Sequence, residues 1–531
     1  MSDTTKKQSF LHGTMLLAMA TAIVKVIGAL YKIPLNAIIG EQGFGYYSTA
    51  YEIYTVLLMI STAGLPVAMS RMISQASSLG NYQQVRKIYT VSRTIFLSLG
   101  LIGTLLMTVF CKQLAAFQEQ PDAWAAIGTL GPCCFLICLM STYRGFFQGQ
   151  SNMLPTSISQ VLEAVCKLIV GIAAALLIKF YWDSIPLAAG GAIFGVTMSC
   201  LISSFYLNHC FRKVFKTMPV SNEPVDSGKD IAKGLLAIAI PITIGSAGLQ
   251  ILTVLETKIY MSQLLGFLTQ DQADTQKGIY NMTQTIFNMP CAFITPITIS
   301  IIPAITAQIT AGDGKAARIT EESAVRVTGL ISAPCAVGLA VLAEPVTALL
   351  GGYSGEKLVL STSLMTVLGV CIVFNALVLL TNAIMQAHGH VNLPVINMFI
   401  GGAVKLIAVF ILTGNPNIGI LGTPIGSLLC YLCITVLNLG TIRRVLPEAP
   451  AIVRNMLRSI GAAILMGIAV FGSWYGITAL LGDVSRIIAC GAPIAVGVVV
   501  YVIAVIKLKA ITRDDCLLLP KGEKIAKFLH L

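Results

Sequence analysis

KIPLNAIIG at Lys32–Gly40 returns as KIYMSQLLG at Lys258–Gly266, 226 residues later. GYYSTAYEIY from Gly45 is matched by GIYNMTQTIF from Gly278, and Gln75 lines up with Gln308 ahead of a glycine-containing loop in each copy. QGQSNMLP (Gln148–Pro155) followed by Lys167 is matched by QAHGHVNLP (Gln386–Pro394) followed by Lys405. Ordered matches at a nearly constant offset mark an internal duplication. Each copy holds about six apolar runs, an even number, so both copies enter a bilayer in the same direction. They are expected to be related by a pseudo-two-fold axis along the membrane normal, a plan common in transporters.

The rest of the chain agrees with a membrane setting. Of 531 residues, 56% are hydrophobic and 11% charged, with a net charge of +12 and a mean hydropathy of +0.82. Soluble domains carry roughly 25% charged residues, so a cytosolic enzyme, a disordered chain and a secreted protein are all excluded. A spanning helix takes about 20 apolar residues, which gives an all-α polytopic protein of about fourteen spans. Two six-helix lobes and a C-terminal pair are predicted: an N-terminus over 1–11, a first lobe over 12–208, a linker over 209–233 and a second lobe over 234–440. A loop over 441–456, a helix pair over 457–508 and a basic tail over 509–531 follow. The first two spans are placed at 12–39 and 46–73, the eighth at 278–309. With the N-terminus inside, about 25 of the Lys and Arg fall in or beside cytoplasmic segments and about 5 in outer loops, which satisfies the positive-inside rule and puts both termini in the cytoplasm. These basic clusters read as topology signals and contacts to anionic lipid rather than nucleic-acid binding.

Several apparent signals carry little. The fourteen cysteines lie mostly in apolar runs, where a thiol packs as a small hydrophobe. Cys430 and Cys433 lack a second pair. The apolar run after Met1–Gln8 is too long for a cleaved leader. His388 and His390 look like a metal pair, but their counterparts in the first copy fall within Gln150–Asn152, so no metal and no cofactor are expected.

The informative residues are charges inside apolar runs, each costing a few kcal/mol at mid-span and therefore expected to face a cavity. Lys25 and Lys32 are seven apart on one face of the first span, a basic stripe about 10 Å long. The repeat sets Lys32 against Lys258, and Lys167 against Lys405, across a central cleft. Glu163 and Lys167, one turn apart, are expected to neutralise each other, whereas Lys405 faces Gly401 where Glu163 stands in the first copy. Glu256 reads as a counter-ion or as a proton or sodium site, and Glu52, among Tyr46, Tyr47, Tyr51 and Tyr54, as a residue that lines the cleft or lies toward its outer mouth. Lys25, Lys32, Glu52, Glu256, Lys258 and Lys405 are thus the candidate substrate-binding set. The lysine excess points to an anion. Pro34, Pro66, Pro241, Pro290, Pro296 and Pro303 supply bends within spans.

AIVKVIGALYKIPLNAIIGEQGFGYYSTAYEIYTVLLMISTAGLPVAMSRMISQ (Ala22–Gln75), with the Gly80–Tyr82 loop and YRGFFQGQSNMLPTSISQ (Tyr143–Gln160), resembles the stage V sporulation protein B and MurJ-like lipid II flippase family. That family belongs to the superfamily that also holds polysaccharide exporters and multidrug extruders. The resemblance covers essentially the whole chain. It implies fourteen spans and movement of a polyprenyl-pyrophosphate-linked cell-wall precursor, lipid II foremost, from the inner to the outer leaflet, in vegetative growth or sporulation. The family's basic pair in the first span matches Lys25 and Lys32, with Lys replacing Arg and with it the loss of bidentate phosphate geometry. The charged cluster that some members carry in the eighth span falls on the uncharged Gln284, Thr285 and Asn288.

Partners expected on this basis are a lipid-linked anionic glycan and membrane lipids, with no nucleic acid. The oligomeric state is left open, a monomer being compatible with the pattern. Proton or sodium coupling and drive by membrane potential alone both stay open. A cation-coupled drug or polysaccharide exporter is the alternative within transport. A polytopic glycosyltransferase is remote, because the long loop Asn208–Lys233 offers only Glu223, Asp226 and Asp230 and no recognisable motif.

Overall fold

A computed structural model describes residues 10–219, 223–446, 449–481, 485–508, 510 and 511. The extreme N-terminus and the basic tail beyond 511 therefore lie outside the described residues. In chain order the α-helices are α1 (Phe10–Thr62), α2 (Leu65–Ser78), α3 (Tyr82–Val109), α4 (Cys111–Phe117), α5 (Trp124–Gly149), α6 (Leu154–Trp182), α7 (Ile185–Thr217) and α8 (Gly228–Leu264). They continue with α9 (Gln270–Thr310), α10 (Gly314–Val341), α11 (Ala343–Leu350), α12 (Gly355–Ala387), α13 (Asn392–Thr413), α14 (Gly422–Val445), α15 (Ile452–Leu481) and α16 (Arg486–Lys507). Among the described residues there is no strand, and 12 helical stretches are long and apolar enough to cross a bilayer. One of them, Leu30–Ser78, runs through the second expected span. The protein is a multi-pass membrane protein.

The chain forms two compact units, Met1–Asn281 and Met282–Leu531. In the first, α8 and the opening turns of α9 pack with α1–α7. The expected loop between the first two spans is instead a kink. α1 is two helices that meet at Gly40, whose φ of 70° and ψ of 178° are non-helical, a conformation open to glycine because it has no Cβ. The helix ends at the Gly64-Leu65-Pro66 turn, with proline seated in the first turn of α2, where its missing N–H costs nothing.

Within the first unit α6 and α7 lie against each other at close range. A Cβ on Gly195 would run into the backbone of Gly171, so the pair depends on small residues, as helices do where lipid gives no hydrophobic drive to associate. The far end of α6 carries Phe180, Tyr181 and Trp182, all strongly exposed, as expected of an interfacial aromatic girdle. Just beyond, Asp183 pairs with Lys179 at 2.8 Å. That ammonium holds the Asp183 carboxyl below its ordinary range.

In the second unit one apolar cluster joins α9, α10, α12, α14 and α15 through Ile305, Val325, Leu380, Ile384, Ile442 and Met456. A second joins Ala462 of α15 to Ala504 and Val505 of α16. Cys430 packs with Val378 and Ile434, in keeping with its reading as a small hydrophobe.

Candidate functional site

The first unit contains a cavity of about 530 Å³ bounded by α1, α2, α5 and α6. Its wall carries Arg144, Glu163 and Lys167, with Tyr31, Tyr51, Ser141, Gln148 and Gln160. These side chains meet because α5 and α6 run back to back through the short Gln150–Met153 turn. That brings the last turns of α5 opposite the first turns of α6.

Arg144 donates from Nε to Ser159 Oγ at 3.1 Å and from an NH2 to Glu163 at 3.0 Å. The expected Glu163–Lys167 neutralisation within one helix is therefore corrected: Glu163 forms its salt bridge with Arg144 of the neighbouring helix. Lys167 instead donates to the Tyr51 hydroxyl at 2.9 Å and lies 4.8 Å and 5.2 Å from the Tyr51 and Tyr31 ring centroids. Two aromatic faces and one hydroxyl stabilise its charge, and among the described residues no carboxylate bonds it, so the ammonium keeps its pull on an arriving anion.

Lys32, half-buried on α1, lies close enough to Lys167 and Glu52 to feel both charges. Glu52, largely buried, forms a 3.7 Å ion pair with Lys277. Lys277 is fully buried, donates to Thr49 Oγ1 at 2.5 Å and approaches the Tyr260 ring. Arg144, Glu163, Lys167, Lys32, Glu52 and Lys277 thus form a ladder of charges along one unit, four cations against two carboxylates.

The other candidates fall as follows. Lys258 on α8 donates to Glu119 at 2.5 Å and stands 5.3 Å from the Phe117 ring. Glu256, two residues earlier, is buried and within electrostatic reach of Tyr260. Lys25 lies on α1, but its side chain is outside the described residues. Lys405 lies on α13 in the second unit, half-buried near Cys371 and Tyr431. The structure therefore brings Lys32 and Glu52 together and gives Lys258 a carboxylate partner.

Sequence reasoning missed Arg144, Lys277, Glu119 and Asp274. The signal for Lys277 was faint but present, because Asp274, Lys277 and Gly278 share one face at the head of α9. Among the described residues no group of three His, Cys, Asp or Glu is arranged to hold a metal. His388 meets Glu321 at 2.7 Å.

An all-helical membrane protein with a charged cavity sunk inside one helical unit is the architecture of a transporter. The chain belongs to the family described as polysaccharide biosynthesis protein, which it matches over residues 10–308. It is 27% identical to stage V sporulation protein B of Bacillus subtilis, covering 83% of this chain and 85% of that one. It is 24% identical to the lipid II flippase MurJ of the same organism, covering 75% and 76%. Its fold matches the solved inward closed conformation of a lipid II flippase MurJ with a TM-score of 0.69 at 13% identity, over 92% of this chain and 98% of that one. The resemblance read from the span 1 to span 2 segment is borne out, and the fold is that of the MurJ transporter type.

Proposed function

We propose that this protein flips a lipid-linked, polyprenyl-pyrophosphate-borne cell-wall precursor, lipid II foremost, from the inner to the outer leaflet by alternating access. The observation that carries the reading is the excess of cations on the cavity wall of the first unit, Arg144 and Lys167 against Glu163, with Lys32 within electrostatic reach of Lys167. A pyrophosphate stripped of water in hydrocarbon faces a prohibitive desolvation cost. In this reading Arg144 and Lys167 replace that hydration, with Lys32 adding charge, while the polyprenyl chain stays in lipid.

Arg144 offers a planar fork for a phosphate, and Glu163 occupies that fork until cargo arrives. Lys167, held on aromatic faces, is a point charge that lets the anion go again. Tyr31, Tyr51, Gln148 and Gln160 supply hydroxyl and amide partners for sugar. Lys25, Lys258, Glu256 and Lys405 remain candidate contacts at other stages of the cycle. With a negative interior, moving about two negative charges outward is favoured by roughly 4 to 5 kcal/mol per 100 mV, so the potential alone suffices as a drive. Of the two Bacillus subtilis relatives, the one named lipid II flippase MurJ supports this cargo class.

The test is reconstitution in liposomes with a fluorescent lipid-linked disaccharide pyrophosphate and, in parallel, a cationic drug. Translocation of the lipid-linked glycan, faster with the potential oriented to pull anions outward, is expected. Uptake of the drug with no movement of the glycan contradicts the reading and favours a cation-coupled extruder.

A further inference from the structure

Three consecutive residues between α4 and α5 grip the end of α8 and the start of α9. Gln118 Nε2 donates to Val254 O at 3.4 Å, Glu119 accepts from Lys258 at 2.5 Å, Glu119 O accepts from Gln270 Nε2 at 2.8 Å, and Gln120 Nε2 donates to Asp274 Oδ1 at 2.7 Å. Gln118 and Gln120 are fully buried. This is the end of the bundle opposite the basic loops, which the charge bias assigns to the outer side.

Two features set this contact apart from ordinary helix packing. First, Glu119 has a φ of 57°, a left-handed conformation that strains a non-glycine residue. Glycine fits such a turn better, yet the chain carries here a carboxylate that pairs with Lys258. Second, the contact is built from amides, carbonyls and ions rather than from apolar side chains. On parting, water replaces each of these partners at little net cost, whereas an apolar seam resists opening over its whole area. Elsewhere on α8 the contrast is direct: Gly64 sits against the backbone at Ala239 so closely that a Cβ has no room.

We infer that Gln118–Gln120 is the catch of an outer gate: the Glu119–Lys258 pair holds the α8–α9 turn shut against the α4–α5 connection, and its release opens the outer end of the unit. The catch is independent of what is carried, and Lys258 acts in it as a gate residue.

The experiment introduces Ala273→Cys, a fully buried position beside the catch, into the full-length protein and measures its labelling by a membrane-impermeant maleimide from the outer side, over the same protein without that substitution. Glu119→Lys and Lys258→Glu are each expected to raise the labelling rate roughly three- to fivefold, the scale of one partly exposed ion pair. The exchanged double variant returns it to the starting rate. Glu119→Gly relaxes the strained turn and removes the carboxylate, and it too is expected to label faster. Unchanged labelling in the single reversals, a double variant as fast as either single, or slower labelling in Glu119→Gly overturns the catch. No cargo is present, so the result stands apart from the flippase reading.

Discussion

The duplication places Arg144, Ser159, Glu163 and Lys167 of the first unit at an offset of 238 from Asn382, Asn397, Gly401 and Lys405 of the second. In the first unit these positions form an ion-paired wall around a cavity. In the second, Asn438 binds the Asn397 amide at 2.9 Å, the Thr381 hydroxyl at 2.8 Å and the Asn382 carbonyl oxygen at 2.8 Å, a neutral cluster that is buried throughout. Corresponding positions thus form a charged surface in one copy and a structural clamp in the other. Ion pairs in a membrane are retained at a cost that neutral amides avoid, so the copy that kept them is the one expected to handle charge.

The largest effect expected from breaking this asymmetry is at Arg144. Arg144→Gln leaves the partly exposed Glu163 on the cavity wall without its guanidinium and is expected to destabilise the protein by about 2 kcal/mol and to abolish transport. Adding Glu163→Gln restores most of the stability in a denaturation assay but not the transport. Recovery of both makes the pair purely structural.

Next comes the neutral clamp. Asn438→Ala loses three hydrogen bonds at about 0.6 kcal/mol each, so stability is expected to fall by about 2 kcal/mol. Transport per folded molecule is expected to hold. A transport-dead but stable Asn438→Ala variant places the second copy in the cargo path and ends the contrast.

Lys167 and Lys405 compare the copies at one position. Lys167→Gln is expected to slow transport about tenfold, the value of roughly one phosphate contact of 1.4 kcal/mol, and Lys405→Gln about twofold or less. Equal losses mean that both copies hold the anion. The smallest effect is at the exposed Lys179–Asp183 pair. Because the folded Asp183 carboxyl is held below its ordinary range, its contribution is present above that range and fades as pH falls through the lowered value. Both partners are solvated, so Asp183→Asn is expected to leave the melting temperature unchanged at neutral pH.

The fold was readable because hydropathy and an even-numbered repeat leave few alternatives for a chain this apolar. Gly40 shows the limit of that reading: the break expected after residue 39 is there, but as a sharp kink between two helices rather than a loop over 40–45, since a hydropathy dip does not distinguish the two. The site was readable only in part. Lys32 and Glu52 stand inside apolar runs and announce themselves. Arg144 sits near the C-terminal end of its helix, where an arginine passes for a topology signal. Lys277 falls one residue before the apolar run that begins at 278, so it reads as loop although it is fully buried. The Glu163 assignment failed because spacing along one helix finds neighbours on that helix, while its partner comes from the helix before, 19 residues earlier. Glu119 depended on where a loop lands, which no local pattern encodes.

The most direct test of the central claim is rescue of cells depleted of their lipid II flippase MurJ. The wild-type chain is expected to restore growth, and the Arg144→Gln/Glu163→Gln/Lys167→Gln variant, present in the membrane at the same level, is expected to fail. Failure of the wild-type chain, or rescue by both, contradicts the claim that the charged wall of the first unit carries an anionic lipid-linked precursor.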